Sequence, residues 1–173
     1  MRKVIRVGLL LGLALIHTTG QQSEEPNLND TLVWIKDFIH DHPAFRVSDE
    51  FSSSGCQVTI TETYAYTGFY PYGKIKARVE RVSLSDLDPT AIKYELVPPS
   101  NVTHDTGGYV VTMDSTNNQS AIQIEFIDVK GQSKFKTSGK SLGAYLLDAD
   151  SGHRFGAALK QAVVLCGGKA SPF

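Results

Sequence analysis

Residues 151–168, SGHRFGAALKQAVVLCGG, decide how the rest of the chain is read. Phe155, Leu159, Ala162, Val163 and Cys166 recur at intervals of three and four, so a helix places them on one side, while His153, Arg154, Lys160 and Gln161 fall elsewhere. Asp150 or Ser151 can accept from the first free backbone N–H groups, and Gly167 can take the left-handed conformation that closes the last turn. Gly156, in mid-helix, costs about 1 kcal/mol relative to alanine and predicts a close approach of the helix backbone to whatever it covers. The apolar face needs a partner, and the upstream residues supply strands for it.

From Cys56 the period is two. Cys56, Val58 and Ile60 alternate with Gln57, Thr59 and Thr61, a strand that continues through Tyr64 and Tyr66 to the turn TGFYPYG. In the following KIKARVERVSL, Ile75, Ala77 and Val79 are expected inward and Lys74, Lys76, Arg78 and Glu80 outward. Arg81 then stands at an inward position and Val82 and Leu84 resume on the other parity, which predicts a bulge there. Further strands are expected over residues 91–97, 108–114, 120–129, 134–137 and 142–148. Turn pairs such as Asp88-Pro89, Asn117-Asn118 and Lys130-Gly131 separate them, as antiparallel neighbours require. About seven strands result. Before them, residues 31–42, TLVWIKDFIHDH, form a second amphipathic helix opened by Asn29 or Asp30 and stopped by Pro43. Thr31, Trp34, Ile35 and Phe38 line one side of it, and Trp34, the only tryptophan, is read as a core anchor.

The chain has 173 residues, enough for one domain with a core and too few for two. Arg2 and Lys3, the apolar run 7–16, and Thr18 and Gly20 have the pattern of a cleaved signal peptide over residues 1–20. A polar leader is expected over 21–29, a single globular domain over 30–168 and a short tail over 169–173. The expected location is secreted or periplasmic, with no transmembrane segment after signal cleavage, because no later stretch is apolar for long enough. Losing Arg2, Lys3 and Arg6 takes the formal charge from -1 to about -4, which disfavours nucleic acid as a partner. Cys56 and Cys166 are the only cysteines, so a single pairing is open to them in an oxidising compartment; the alternative is a buried small apolar residue and a free thiol.

About seven antiparallel strands followed by one C-terminal helix is the element order of pleckstrin-homology-like (PH-like) domains. The segment YLLDADSGHRFGAALKQAVVLCGGK resembles the last strand and capping helix of that fold. The resemblance implies a mainly β domain, an antiparallel PH-like barrel with an N-terminal helix and one open end plugged by Phe155, Leu159 and Val163. VSLSDLDP and ALKQAVVLCGGKASPF also resemble segments of uncharacterised bacterial secreted or envelope proteins, a likeness that implies no activity.

Two features point to chemistry. Tyr64, Tyr66, Phe69, Tyr70 and Tyr72 surround Gly68, Pro71 and Gly73, and such a loop offers amphipathic contact area to a protein, peptide or glycan. Its plainer reading is cross-strand pairing and a fold-back over the barrel end. Lys74, Lys76 and Arg78 follow on one strand face, similar to the basic residues with which phosphoinositide-binding PH domains hold phosphates. The signal peptide argues against a cytoplasmic headgroup, and alternating cations also keep a strand solvated. Catalytic motifs are scarce. His40 and His42 are two apart, His104 stands beside Asp105, no histidine pair has helical metal-ligand spacing, and Asp86 and Asp88 read as turn formers. The sequence holds no G-x-S-x-G, no phosphate-cradling glycine loop and no Cys-x-x-Cys. The expected function is a secreted, non-catalytic binding module without cofactor or metal. A small secreted hydrolase built from dispersed Asp, His and Ser residues is one alternative, marked by a pocket holding His40 or His104 beside a carboxylate and a hydroxyl; an apolar-ligand carrier is the other. The N-x-[ST] triplets at Asn29, Asn101 and Asn118 are read as turns and a helix cap.

Overall fold

The computed structural model describes residues 27–43, 47–70, 73–98 and 108–172, with backbone alone for 47, 65–70 and 73. Helix α1 (Leu28–Asp41) begins at Asn27, whose side-chain oxygen accepts the Asp30 N–H at 3.0 Å, rather than at Asn29 or Asp30. It buries Thr31, Leu32, Ile35, Phe38 and Ile39. Trp34 is not a core anchor: it is 36% exposed, stacks on Phe38 at 4.5 Å between centroids, and has the Arg154 guanidinium on the same aromatic pair.

Among the described residues the chain forms eight strands in two antiparallel sheets. Strands β1 (Val47–Ser54), β2 (Gln57–Tyr70), β3 (Gly73–Ser83), β6 (Ile122–Asp128) and β7 (Ser133–Gly139) make the larger sheet, in the order β1-β2-β3-β6-β7. Strands β4 (Leu87–Val97), β5 (Gly108–Ser115) and β8 (Ser141–Leu146) make the smaller, in the order β4-β5-β8. The 3-10 turn Leu84–Asp86 carries the chain from β3 to β4, and Lys140 alone separates β7 from β8. The expectation of one barrel of about seven strands is therefore corrected: among the described residues no ladder closes the two sheets into a barrel. The uncounted strand is β1. Among its described side chains that turn inward, Phe51 is apolar but Asp49 takes the next position along, so the hydrophobic alternation is broken there.

Three rows of side chains cross the inner face of the larger sheet. Ser53, Val58 and Val82 stand opposite one another in register, as do Ile122 and Gly139, then Phe51, Ile60, Glu80, Ile124 and Thr137, then Asp49, Glu62, Arg78, Phe126 and Phe135. The face thus grades from apolar to charged along the strands. Ile75, Ala77 and Val79 are buried as expected, yet they lie outside the main core, which takes Val82 and Leu84 from this region. Glu80 is 2% exposed, so the expectation that Arg78 and Glu80 face solvent with the lysines is also corrected. Pairing runs regularly through Arg81; the irregularities fall between Thr63 and Gly68 against β3 and between Ile75 and Ala77 against β6. Asp88-Pro89, read as a turn, lies inside β4, where pairing with β5 is interrupted between Leu87 and Ile92.

Helix α2 (Ala149–Leu165) packs on α1 and β4 and buries Phe155, Leu159, Ala162 and Val163, the face read from the sequence. Its cap is Asp148, not Asp150 or Ser151; the Asp148 carboxylate accepts the Ser151 N–H at 2.8 Å. Gly167 has φ +81° and closes the helix, with the Gly168 N–H donating to the Val163 carbonyl at 2.9 Å. Gly156 lies against Tyr94 and Ile92, so close that an added Cβ would sit 2.5 Å from the Tyr94 hydroxyl. Cys56, in the β1–β2 turn, is bonded to Cys166 at the end of α2, with Cα atoms 5.8 Å apart.

Candidate functional site

The charged row lies toward the β2–β3 hairpin, at the end of the sheet away from the disulfide. Its geometry begins with β8, the edge of the smaller sheet. Strand β8 pairs with β5 on one side; on the other, its alternate N–H groups point toward the larger sheet with no strand to receive them. Carboxylates take the place of that strand. The Tyr145 N–H donates to Asp49 Oδ2 at 2.8 Å and the Gly143 N–H to Glu80 Oε2 at 3.1 Å. A single isolated bridge, Pro43 to Leu146, continues the seam.

Behind these contacts the Arg78 guanidinium is held between Glu80, in direct contact, and Glu62, at 3.6 Å. The Tyr64 hydroxyl also donates to Glu62. Asp49, Glu62 and Glu80 are all buried, so three carboxyl groups face one guanidinium. Burial lifts the Asp49 carboxyl from the usual 3.8 to about 7; the Tyr145 N–H opposes the shift, and the nearby Glu62 and Glu80 add to it. Burial also raises Glu62 and Glu80, against the pull of Arg78 on both. Asp49 Oδ1 is buried with no hydrogen-bond donor among the described residues, whereas Glu80 Oε1 lies against the Arg78 guanidinium. A proton on Asp49 supplies a donor.

The sequence-predicted residues divide around this row. Tyr64 and Arg78 converge on Glu62. Lys74 and Lys76 are exposed on β3 and do not join them. The side chains of Tyr66, Phe69 and Tyr70, and all of Tyr72, lie outside the described residues, as do His104, Asp105 and the Asn101 triplet. The carboxylates that make the site, Asp49, Glu62 and Glu80, were not singled out by sequence reasoning. The available signal was phase: each falls in step with inward apolar residues of its own strand, Asp49 with Phe51, Glu62 with Val58 and Ile60, and Glu80 with Val82.

The remaining candidates have structural roles. His42 stacks on Phe38 with Nδ1 2.9 Å from the Phe38 carbonyl oxygen, and His153 lies tilted against Tyr94 with ring centroids 4.5 Å apart. Asp88 accepts the Thr90 N–H and hydroxyl and, through its other oxygen, the Ser171 N–H, tying the C-terminal segment to β4. His40 lines a cavity of about 330 Å³ with Lys36, Asp37, Asp49, Glu50 and Phe51, on the α1 side of Asp49. An apolar groove of about 390 Å³ runs between the helices beside Trp34 and Ala158. A cleft of about 510 Å³ near Asp88 is lined by turn residues such as Asn117 and Ser171. No metal-holding group of three ligands occurs among the described residues, and no helix among them is long and apolar enough to cross a membrane. Compared with protein-family models, curated proteins and solved structures, the chain matches none.

Proposed function

We propose that the protein is an extracytoplasmic, non-catalytic binding module whose contact surface is the hairpin end of the larger sheet. The observation that supports this reading is an imbalance of charge pairing. Four basic side chains on this sheet have carboxylate partners: Arg78 with Glu62 and Glu80, Arg81 and Lys136 with Glu125, and Lys134 with Asp128. Lys74 and Lys76 are exposed and have none among the described residues. They flank the tyrosine-rich turn of residues 64–72, so an unneutralised positive rim borders amphipathic contact area. A protein, peptide or glycan carrying acidic groups suits that surface. The disulfide agrees with an oxidising compartment.

The test is capture of partners from the source's envelope and medium by the immobilised chain, beside a Tyr70→Ser, Tyr72→Ser variant and a Lys74→Gln, Lys76→Gln variant. A partner held by the parent, released by salt and lost by both still-folded variants supports the reading. Equal capture by parent and variants removes the hairpin from it.

The hydrolase reading retains one favourable observation, since the cavity beside α1 places His40 among Asp37, Asp49 and Glu50. Among the described residues its lining holds no hydroxyl, which this reading also calls for. A substrate screen with parent and Asp49→Asn protein decides it, because activity lost in the variant alone would make the cavity catalytic.

A further inference from the structure

Two sheets that share no ladder need something else along their seam, and here it is a pair of acids. Gly143 and Tyr145 are two residues apart on one strand, so their N–H groups leave the same edge and bring the Glu80 and Asp49 carboxyl groups alongside each other. Each carboxyl group spends one oxygen on β8; the other oxygen of Glu80 lies against the Arg78 guanidinium, and that of Asp49 is buried without a hydrogen-bond donor among the described residues. The pair is self-consistent with the proton on Asp49. Without it, two buried negative charges adjoin a third, on Glu62, against the single charge of Arg78.

We propose that the Asp49–Glu80 pair is a pH-operated latch on the seam between β1 and β8, closed when Asp49 carries its proton and loosened when the proton is lost. In the closed form the neutral carboxyl accepts the Tyr145 N–H through Oδ2, and its own O–H is available to a neighbouring carboxylate. In the ionised form the charge on Asp49 is better solvated in water than in the seam. Conformations in which Gly143 and Tyr145 part from the larger sheet then gain population. The Pro43–Leu146 bridge, one isolated contact, gives little resistance.

The sign follows from the Asp49 carboxyl, which burial holds at about 7 against 3.8. Between those values the closed seam holds a proton that the open one has lost, so closure weakens as pH rises through that window and levels off above it. The groups around Asp49 are Glu50 on its own strand, Glu62 and Tyr64 on β2, Arg78 and Glu80 on β3, Tyr145 on β8, and Lys36, Asp37 and His40 on α1. Of these, His40 is the one imidazole, so its replacement is the control.

The experiment is amide hydrogen exchange at Gly143 and Tyr145 in the full oxidised chain at pH 5.5 and 8, corrected for intrinsic exchange. It is run on the parent, Asp49→Asn and His40→Gln proteins. Asparagine keeps an oxygen for the Tyr145 N–H and cannot ionise. Protection of the two amides should fall at least about tenfold in the parent and in His40→Gln, and stay level in Asp49→Asn. Level protection in the parent, an equal fall in Asp49→Asn, or a fall abolished by His40→Gln would each overturn the latch. Should Asp49→Asn not fold, the parent's Asp49 side-chain carbon is titrated by NMR. A midpoint between about 6 and 8 supports the proposal and one below about 5 removes it.

Discussion

The two ends of the larger sheet are held by opposite physics. At the disulfide end, Val58, Val82 and Ile122 meet a core that α2 completes with Phe155, Leu159 and Val163, and Cys56–Cys166 fastens helix to sheet. At the hairpin end the same inner face carries Asp49, Glu62 and Arg78, and the neighbouring sheet is reached through backbone N–H groups that donate to carboxylates. Apolar packing is nearly indifferent to pH and tolerates exchange of one hydrophobe for another of similar volume. A buried acid cluster answers to pH and to every change of charge. One end is suited to holding the fold and the other to responding.

Removing the staple should give the largest effect. The disulfide spans 110 residues of sequence, and a loop of that size corresponds to about 4 to 5 kcal/mol by chain entropy. Urea unfolding of the Cys56→Ser, Cys166→Ser protein should show a loss of that order. A loss below about 1 kcal/mol would mean that the apolar face of α2 secures this end unaided. Leu159→Ala tests that face directly. Leu159 is 1% exposed, and its truncation should cost about 3 kcal/mol at both pH 5.5 and pH 8. A strong dependence on pH would erase the distinction between the ends.

The sequence was legible where burial and apolarity coincide. The face of α2, the glycine at its end, the close approach at Gly156 and the single possible cysteine pair all follow from spacing and side-chain size. It was illegible where a polar group does the work of an apolar one. Strand β1 escaped notice because Asp49 occupies an inward position, and Glu80 and Arg78 were assigned to solvent by the ordinary rule that charge faces out. Closure into a barrel was expected from element order, yet order does not fix whether two edge strands pair. The side chains between the edges decide that, and here they are carboxylates long enough to replace a ladder. Trp34 was misplaced for a related reason: helical period placed it beside the core face, and stacking on Phe38 under Arg154 holds it at the rim.

At the hairpin end, Arg78→Gln leaves Glu62 and Glu80 buried without their cation. A loss of about 3 kcal/mol is expected near neutral pH, in the range for one partner removed from a buried pair. The loss should shrink as pH falls toward 5. Both glutamates are already raised by burial, removing Arg78 raises them further, and their protonated forms tolerate its absence. A loss independent of pH would mean that Arg78 contributes through packing of its stem rather than through charge.

The smallest effect should come from Arg81→Gln, three residues along the same strand and on the opposite face. Arg81 donates to Glu125 at 2.9 Å, a shorter and better-aligned contact than the one between Arg78 and Glu62. Arg78, however, also contacts Glu80 directly, and solvent widens the difference: the Arg81 side chain is 47% exposed, and Glu125 keeps Lys136 beside it at 3.4 Å when Arg81 is gone. Neither charge is stranded, and water screens both, so the change in urea stability should be under about 0.5 kcal/mol and should vanish in high salt. Equal losses for Arg78→Gln and Arg81→Gln would show that the inner face is wet, and the contrast between the two ends of the sheet would fail with it. A ratio of several-fold would locate the difference in burial, because donor type, acceptor type and strand are the same on both faces.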